Sequence, residues 1–418
     1  MVDKKGPRIA IVAGEASGDI LAAGFMKQLQ AIYPDAEFEG IGGKHLTGLG
    51  LQSLFDMEEL SVMGLVEVLK HLPRLLHIRK SVIQHFTKNP PDIYIGVDAP
   101  DFNLAVESKL KLQGVQTIHY VSPTVWAWRE KRIHKIAKAT NLVLGIFPFE
   151  ADIYQTYSVP YQYVGHTMAD SIPLHPDKSA MRDKFGCHAE AKVLAILPGS
   201  RAREVDTLLP DFFSTAQILT EDTELKALEL LIPAANSARE HQIHAMLTNF
   251  GLKKIATDDR ADKNAVYTLY RSEQDGIDKG LASIQVKVSS EAARDVMIAA
   301  DSVLLASGTA SLEAMLCKTP MVVAYKMSKL THMIMKRLYK PDYFSLPNIL
   351  ANKALVPELL QEEANPKAMA NLLKSLLLGD NSQLIVEFTD LHRSLQIDAD
   401  RQAANAIASL LDKQQEKS

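Results

Sequence analysis

Short apolar runs alternate along the first half of the chain with longer segments in which apolar residues recur every three or four positions. The first run ends at Gly14, and a helical pattern follows from Asp19 to Ile32. Most runs lack polar alternation, which is typical of strands buried on both faces in a parallel sheet covered by helices. The runs that predict strands are Ile9–Ala13, Glu37–Ile41, Ile93–Val97, Thr117–Val121, Leu142–Ile146 and Tyr161–Val164.

The same alternation restarts after Pro173–Lys184, a polar, proline-containing stretch that predicts a linker. Strand patterns that alternate with helical ones favour right-handed βαβ units. We therefore expect an α/β protein with two tandem Rossmann-like domains and a cleft between them. The later strand patterns lie at Lys192–Leu197, Leu228–Ile232, Ser302–Leu305 and Met321–Tyr325, and a helical pattern lies at Leu208–Leu219.

The predicted domain boundaries follow from these series. An N-terminal domain covers residues 1–175, a C-terminal domain covers residues 185–365, and helices fill residues 366–418. Thr257–Lys287 is rich in charged residues and Ser and has weak periodicity. We interpret residues 257–287 as an extended surface loop or an insertion in the second domain.

Composition and charge narrow the class of protein. The chain has 418 residues, and its net charge of -4 gives no overall attraction to nucleic acid. Its two cysteines, Cys187 and Cys317, form no zinc-site spacing and no disulfide framework, which favours a reducing compartment. No signal peptide is evident, and no run of apolar residues is long enough to span a membrane. We expect a cytoplasmic protein.

Ligands in open α/β sheets bind beyond the carboxyl ends of the strands, so the residues there are the first candidates for a site. The turn after the first strand carries Glu15 and Ser17 between two glycines. Ser17 either caps the next helix or binds a ligand, whereas Glu15 has no capping duty. The turn lacks GxGxxG and so does not predict a dinucleotide site.

Two carboxylates follow the third strand. Asp98 is the candidate general base, because an ionised carboxylate at a strand end can take a proton from a hydroxyl nucleophile. We expect Asp101 to cap the next helix instead.

Ser122 and Trp126 follow the fourth strand, and His166 follows the sixth. Indole rings stack on sugars, but core packing is their more common use. His166 is either a hydrogen-bonded structural residue or part of the site. A basic run over residues 129–135 is a solvated helix face or an anion site.

The second half holds the clearest phosphate signal. Ser200 and Arg201 follow a strand and Pro198-Gly199 at the start of a helix, so backbone N–H groups, a hydroxyl and a guanidinium converge. After a later strand, small residues again begin a helix, and Glu313 lies one turn further, where it could accept hydrogen bonds from ribose hydroxyls. These small residues are Ser307, Gly308 and Thr309. No Walker sequence occurs, so the chain is not a P-loop protein.

Eight motifs in order make the chain resemble the lipid-A-disaccharide synthases, inverting glycosyltransferases of the two-domain GT-B architecture. The resemblance covers nearly the whole chain. The motifs are VAGEASGD (Val12–Asp19), VMGLVEVL (Val62–Leu69), DAPDFN (Asp98–Asn103), IHYVSPTVWAWR (Ile118–Arg129), VGHTMAD (Val164–Asp170), LPGSR (Leu197–Arg201), LASGTASLE (Leu305–Glu313) and SLPNIL (Ser345–Leu350).

The resemblance implies a reaction and a division of roles. UDP-2,3-diacylglucosamine donates its sugar to 2,3-diacylglucosamine 1-phosphate in lipid A biosynthesis, giving a β-1,6-linked disaccharide 1-phosphate and UDP. It implies that Arg201 binds the diphosphate, that Asp98 is the base on the acceptor, and that Asn348 lies in the cleft. It implies no cofactor and no metal. The C-terminal helices would pack on the N-terminal domain of the same chain or of a partner in a homodimer.

An apolar stripe edged by cations begins within the second motif and continues to Lys80. Such a stripe belongs either to a core helix or to a helix on anionic lipid, and the acylated substrates implied by the resemblance favour lipid at the cytoplasmic face of the inner membrane. The residues expected to contact the membrane are Val66, Val68, Leu69, Leu72, Leu75 and Leu76. Alternatives that remain open are another GT-B UDP-N-acetylhexosamine transferase, a UDP-sugar epimerase and a non-catalytic nucleotide-sugar binder.

Overall fold

The computed structural model describes residues 6–60, 65–255, 266–272, 284–290 and 292–415. The chain divides into two compact units. The first comprises Met1–Ser171, Leu338–Lys340 and Ser394–Ser418, and the second comprises Ile172–Arg337 and Pro341–Arg393.

A parallel sheet forms the centre of the first unit, and its strand order among the described residues is β3-β2-β1-β4-β5-β6-β7. In the register, Ile9 lies opposite Phe38 on one side and Ile93 on the other. Both faces of the central strands are buried, as the uninterrupted apolar runs predict. The strands are β1 Arg8–Ala13, β2 Glu37–Ile41, β3 Gln52–Ser53, β4 Ile93–Val97, β5 Gln116–Tyr120, β6 Leu142–Gly145 and β7 Tyr161–Tyr163.

Helices cover this sheet and complete its core. Phe25 and Met26 of the first helix are fully buried, as are Ile78, Val82 and Phe86 of the third. The helices that begin before residue 172 are α1 Ala16–Ile32, α2 Lys44–Gly48, α3 Leu65–Lys88, α4 Pro100–Lys111, α5 Ile133–Ala139, α6 Ala151–Thr156 and α7 Thr167–Ser171.

The second unit holds a mixed sheet, with the order β10-β11-β12-β9-β8-β13-β14-β15 among the described residues. β11 is antiparallel to both its neighbours, and the other pairs are parallel. The strands are β8 Val193–Leu197, β9 Glu229–Ala234, β10 Leu252–Lys254, β11 Tyr267–Ser272, β12 Gln285–Ser290, β13 Ser302–Ala306, β14 Met321–Tyr325 and β15 Glu358–Leu360.

In this unit the prediction of a surface loop is wrong, and the stretch predicted as a linker contains a helix. The supposed surface loop over residues 257–287 contains β11 and the start of β12, which belong to the sheet. The predicted linker Pro173–Lys184 contains a helix, because the Asp177 carboxylate accepts the Ala180 N–H at 2.9 Å and so caps it. The helices that begin here are α8 Lys178–Lys184, α9 Ala202–Thr220, α10 Ser237–Asn249, α11 Ala293–Ala299, α12 Thr309–Leu316, α13 Lys329–Leu338, α14 Leu346–Ala351, α15 Pro366–Leu378 and α16 Ser382–Leu395.

The last helix, α17 Ala399–Gln415, belongs to the first unit. Its buried residues Ala403, Ala404 and Ile407 join the same core as Phe25 of α1. The end of the chain therefore completes the N-terminal fold, whereas α15 and most of α16 belong to the second unit, so the prediction that all of residues 366–418 pack on the N-terminal domain is wrong. A parallel sheet in one unit and a mostly parallel sheet in the other confirm the predicted α/β class.

Candidate functional site

Four candidate residues of the first unit lie beyond the carboxyl ends of its strands. Glu15 follows β1, Asp98 follows β4, Ser122 lies after β5 and His166 after β7. Because these strands are parallel, their carboxyl ends meet at one edge of the sheet. The topology thus brings the four predicted positions to the same edge.

The turn after β4 has an unusual backbone. Asp98 and Ala99 both have positive φ, at 51° and 43°, in the left-handed region that non-glycine residues rarely adopt. The turn after β1 lies against it, since a Cβ at Gly14 would stand 2.7 Å from the Ala99 Cβ. Gly14 therefore gives the Asp98 turn room beside Glu15.

The turn after β1 carries two candidate binding residues and is followed by a carboxylate that caps a neighbouring helix. Glu15 is half-buried, and its side chain does not cap α1, whereas Ser17 is exposed. The buried carboxylate is Asp19, which accepts N–H groups from Gly43, His45 and Leu46 at 2.7, 2.9 and 3.2 Å. Asp19 thus fastens the start of α2 to α1, a role that the sequence did not reveal.

The sequence predicts that Asp101 caps α4, and this prediction is wrong. The cap position is Ala99, and no side chain caps the helix there. The exposed Asp101 carboxylate instead pairs with the Arg132 guanidinium at 2.7 Å. Asp98 and Asp101 therefore have separate surroundings, and Arg132 of the basic run is engaged by Asp101.

Ser122 belongs to a buried polar group that sequence reasoning missed. Its hydroxyl lies 2.8 Å from the Tyr154 hydroxyl. Beside them, Glu150 is almost fully buried and accepts the Phe147 N–H at 3.2 Å and the Tyr161 O–H at 3.3 Å. Burial raises the pKa of Glu150 to about 8. This group supports the ends of β5 and β6 from within.

Glu150 should make the stability of the protein depend on pH. Its pKa rises from the ordinary 4.5 to about 8 on folding, so the folded state holds a proton that the unfolded chain releases. The free energy of unfolding therefore falls as the pH rises through that window. Glu150→Gln keeps an acceptor for the Phe147 and Tyr161 donors and removes the ionisation.

We expect the melting temperature of Glu150→Gln to exceed that of the wild type by about 2–4 °C at a pH of about 9, the shift that roughly 1 kcal/mol produces. The two proteins should converge at a pH of about 4. If the difference in melting temperature between the two proteins stays the same at every pH from about 4 to about 9, Glu150 does not hold a buried proton.

Trp126 and His166 lie in an aromatic cluster at the same sheet edge. The Trp126 and Phe149 rings meet edge to face at 4.9 Å, and the His166 ring lies 5.5 Å from Phe147. Burial lowers the pKa of His166 to about 4, and its Nδ1 accepts the Met168 N–H at 3.1 Å. His166 is therefore a neutral imidazole at neutral pH. Since Nδ1 accepts a hydrogen bond, the ring proton lies on Nε2, which can only donate one.

The second unit gathers its candidate residues around one cavity of about 370 Å³. The cavity lies beyond the carboxyl ends of β8 and β13, where α9 and α12 begin. Gly199 and Gly308 have φ values of 116° and 137°, which let the chain turn sharply into each helix. Six predicted residues line the cavity, namely Ser200, Arg201, Ser307, Gly308, Thr309 and Glu313.

At the start of α9, a carboxylate of the chain itself accepts hydrogen bonds from the backbone N–H groups. The Glu204 side chain accepts the N–H groups of Ser200 and Arg201, both at 3.2 Å, and the Arg201 guanidinium at 3.1 Å. Backbone N–H groups and a guanidinium around one point form an anion site. Glu204 shows that this end of the cavity accepts a negatively charged oxygen.

Glu313 and Asn348 differ in how they are held. Glu313 lines the cavity, and the Arg294 Nε lies 3.3 Å from its carboxylate. Asn348 is not among the residues that line this cavity. Its buried amide donates to the Val356 carbonyl at 2.9 Å and accepts the N–H groups of Leu355 and Val356, so it closes a turn of the backbone.

The comparison of the sequence with known families resolves the remaining choice of function. The model of the lipid-A-disaccharide synthetase family matches residues 9–271 and 264–408. The chain belongs to the lipid-A-disaccharide synthase family. It is a glycosyltransferase of lipid A biosynthesis, and the family implies lipid A precursors as substrates.

Relatives in this family match over their full length. The lipid-A-disaccharide synthase of Alteromonas mediterranea is 54% identical over 404 residues, which cover 97% of this chain and 98% of the relative. That of Haemophilus influenzae is 50% identical over 421 residues, covering 98% and 99%. These identities extend through both units.

Solved structures show the fold alone, because their sequence identity is low. The UDP co-structure of S. aureus MnaA aligns with a TM-score of 0.60 at 13% identity, covering 97% of each chain. CalG4, the calicheamicin glycosyltransferase, aligns with a TM-score of 0.55 at 11% identity, covering 98% of this chain and 99% of that chain. Transferases and epimerases share this architecture, so fold alone does not separate them.

Helix α3 carries the stripe that was expected to contact the membrane. Leu72 and Leu76 are 40% and 43% exposed, and Leu75 is partly exposed. The side chains of Val66, Val68 and Leu69 lie outside the described residues. Ile78, by contrast, is fully buried on the core face of the helix. No helix in the described part of the chain is long and apolar enough to cross a membrane.

A half-buried carboxylate of the second unit also escaped sequence reasoning. Glu358 accepts the Ser345 N–H at 2.8 Å, the Phe344 N–H at 3.0 Å and the Asn348 amide at 2.8 Å. The Phe344 carbonyl in turn accepts the Ser307 hydroxyl at 3.5 Å. The family motif SLPNIL therefore supports the cavity from behind, with Glu358 as its anchor.

Proposed function

We propose that the chain transfers 2,3-diacylglucosamine from UDP-2,3-diacylglucosamine to 2,3-diacylglucosamine 1-phosphate with inversion. The products are the β-1,6-linked disaccharide 1-phosphate and UDP. The observation that carries this proposal is the cavity of the second unit, in which two helix starts, Arg201 and Glu313 surround a space that suits a nucleoside diphosphate.

The cavity would hold the UDP part of the donor. Arg201 and the N–H groups at the start of α9 bind the diphosphate, and Ser307 and Thr309 approach it from the start of α12. Glu313, held by Arg294, accepts hydrogen bonds from the ribose hydroxyls. The same contacts stabilise the negative charge that UDP gains as it leaves.

Asp98 would be the general base of the first unit. Its carboxylate takes the proton of the acceptor's 6-hydroxyl as the oxygen attacks the anomeric carbon and the bond to UDP breaks. Inversion needs one displacement, so no covalent enzyme intermediate forms. Glu15, Ser17, Ser122, Trp126 and His166, at or near the same sheet edge, are the proposed acceptor-side residues.

Helix α3 would bring this unit to the membrane that contains the acylated substrates. Exposed Leu72 and Leu76 enter the lipid interface, and Lys80 lies on the same helix for anionic headgroups. Val66, Val68, Leu69 and Leu75 extend the proposed contact. This surface supports a peripheral location at the cytoplasmic face of the inner membrane.

The double variant Leu72→Ser, Leu76→Ser should bind vesicles of phosphatidylethanolamine and phosphatidylglycerol about 30-fold more weakly, because each half-exposed Leu contributes roughly 1 kcal/mol on burial in lipid. Co-sedimentation measures the binding. Leu112→Ser is the matched control, since Leu112 is 80% exposed just after the end of α4. Equal binding by all three proteins would remove α3 from the proposal, and early melting of the double variant would make the stripe part of the core.

A homodimer that exchanges C-terminal helices is the proposed assembly. The apolar face of α17, with Ala403, Ala404 and Ile407, packs on α1. The same contacts could form between two copies. Light scattering during size-exclusion chromatography gives the mass, and a monomer at micromolar concentration would argue against exchange.

An assay with the purified protein tests the function directly. Incubation with the two acylated substrates should release UDP and form the disaccharide 1-phosphate, detected by mass spectrometry. Incubation with UDP-N-acetylglucosamine alone should leave that sugar unchanged. Formation of its 2-epimer without disaccharide from the acylated pair would replace the transferase by an epimerase.

A further inference from the structure

Behind the Asp98 turn lies one fully buried amide, the side chain of Asn103 on the first turns of α4. Its Nδ2 donates to the Asp98 carbonyl at 2.9 Å and to the Val12 carbonyl at 3.2 Å. Its Oδ1 accepts the Tyr94 O–H at 2.9 Å. A single side chain therefore ties together the carboxyl ends of β1 and β4 and the turn that carries Asp98.

The turn needs such a restraint. Two successive non-glycine residues with positive φ are strained, and such residues persist only where the surroundings hold them. The Asp98 N–H donates to the Tyr120 carbonyl at 2.8 Å, and the Asn103 N–H donates to the Ala99 carbonyl at 3.0 Å. The Asn103 amide holds the remaining carbonyl, that of Asp98 itself.

Asparagine suits this position because it supplies a donor and an acceptor together. An aspartate would turn a carboxylate toward backbone carbonyls, and an apolar side chain would leave buried polar groups without partners. Strand β4 itself leaves room for the amide, since a Cβ at Gly96 would stand 2.7 Å from the Asn103 Cβ. The local sequence is thus fitted to an amide behind Asp98.

We infer that Asn103 is a positioning residue for transfer, which fixes the left-handed turn and so aims the Asp98 carboxylate. The inference rests on the proposed role of Asp98 as the base. A misplacement of reacting groups by about 1 Å can cost about 100-fold in rate. Asn103 therefore acts through Asp98 and not through binding of the donor.

Asn103→Ala should lower kcat by about 10- to 100-fold. The donor KM and the affinity for UDP, measured by calorimetry, should stay within about twofold, because the UDP contacts proposed above lie in the other unit. Tyr94→Phe is the milder variant, since it removes only the hydroxyl that holds the Asn103 Oδ1. It should lower kcat by a few-fold with an unchanged melting temperature, and it keeps the test usable if Asn103→Ala fails to fold.

A double-mutant cycle separates positioning from a structural role. In the Asp98→Asn background, Tyr94→Phe and Asn103→Ala should leave the residual rate unchanged, because no base remains to be aimed. An equal fold loss in both backgrounds, or unchanged kcat in the single variants, would overturn the inference. Wild-type turnover by Asp98→Asn would instead overturn the proposed base, so the two failures are distinguishable.

Discussion

Replacement of Asp98 by Asn should lower kcat by about 10²–10⁴-fold, the contribution typical of a general base. The amide keeps the size and shape of the side chain, so the turn at Asp98 and Ala99 should form as before. The amide cannot accept the proton of the acceptor hydroxyl. UDP affinity should not change, because the proposed UDP contacts are the residues that line the cavity of the second unit.

Asp101→Asn is the matched control for this experiment. It makes the same change of charge three residues away, at an exposed carboxylate that pairs with Arg132. Its kcat should stay within about threefold of the wild type, since surface ion pairs contribute little. Equal losses in the two variants would mean that negative charge at this edge, and not proton transfer at Asp98, carries the effect.

The strands that were predicted well are those in which apolar residues are buried and turn-forming or charged residues flank the run. β4 occupies the predicted residues Ile93–Val97, because two prolines precede a fully apolar run and a carboxylate follows it. β12 was missed for the opposite reason. Its Lys287 is buried, and its ammonium pairs with Glu229 of β9 at 2.6 Å. A charged residue is usually exposed, so a buried ion pair hides a strand from a sequence pattern.

The site shows the same division between local and tertiary signals. Ser200, Arg201 and the Ser307–Thr309 turn could be located because a strand, a glycine and a helix start are adjacent in the sequence. The residues that hold these turns in place from behind could not be located in the same way. Glu358 serves residues 10–14 positions earlier, and Asn103 reaches back 91 positions to Val12. Their roles depend on which strands become neighbours, and periodicity does not encode that order.

Arg201→Ala should weaken the binding of UDP by about 10- to 100-fold. A charge-assisted hydrogen bond contributes about 1.5–3 kcal/mol, and Arg201 places a guanidinium at the end of the cavity that we propose for the diphosphate. The side chain is 69% exposed and pairs with Glu204 at the surface, and surface ion pairs contribute little, so its loss should not affect folding. Calorimetric titration with UDP measures the effect, and raised salt should reduce the difference between the proteins.

Arg203→Ala removes the same charge two residues later from an exposed position that is not among the residues lining the cavity, and it should bind UDP as the wild type does. Part of the loss in Arg201→Ala would come from Glu204, whose carboxylate keeps its two backbone N–H donors but loses the guanidinium and then faces the incoming diphosphate. The variant Arg201→Ala, Glu204→Gln separates the two contributions. Recovery of affinity in the double variant assigns the loss to repulsion by Glu204. A persistent loss assigns it to the guanidinium, and UDP affinity equal to that of the wild type in Arg201→Ala would end the diphosphate role of Arg201.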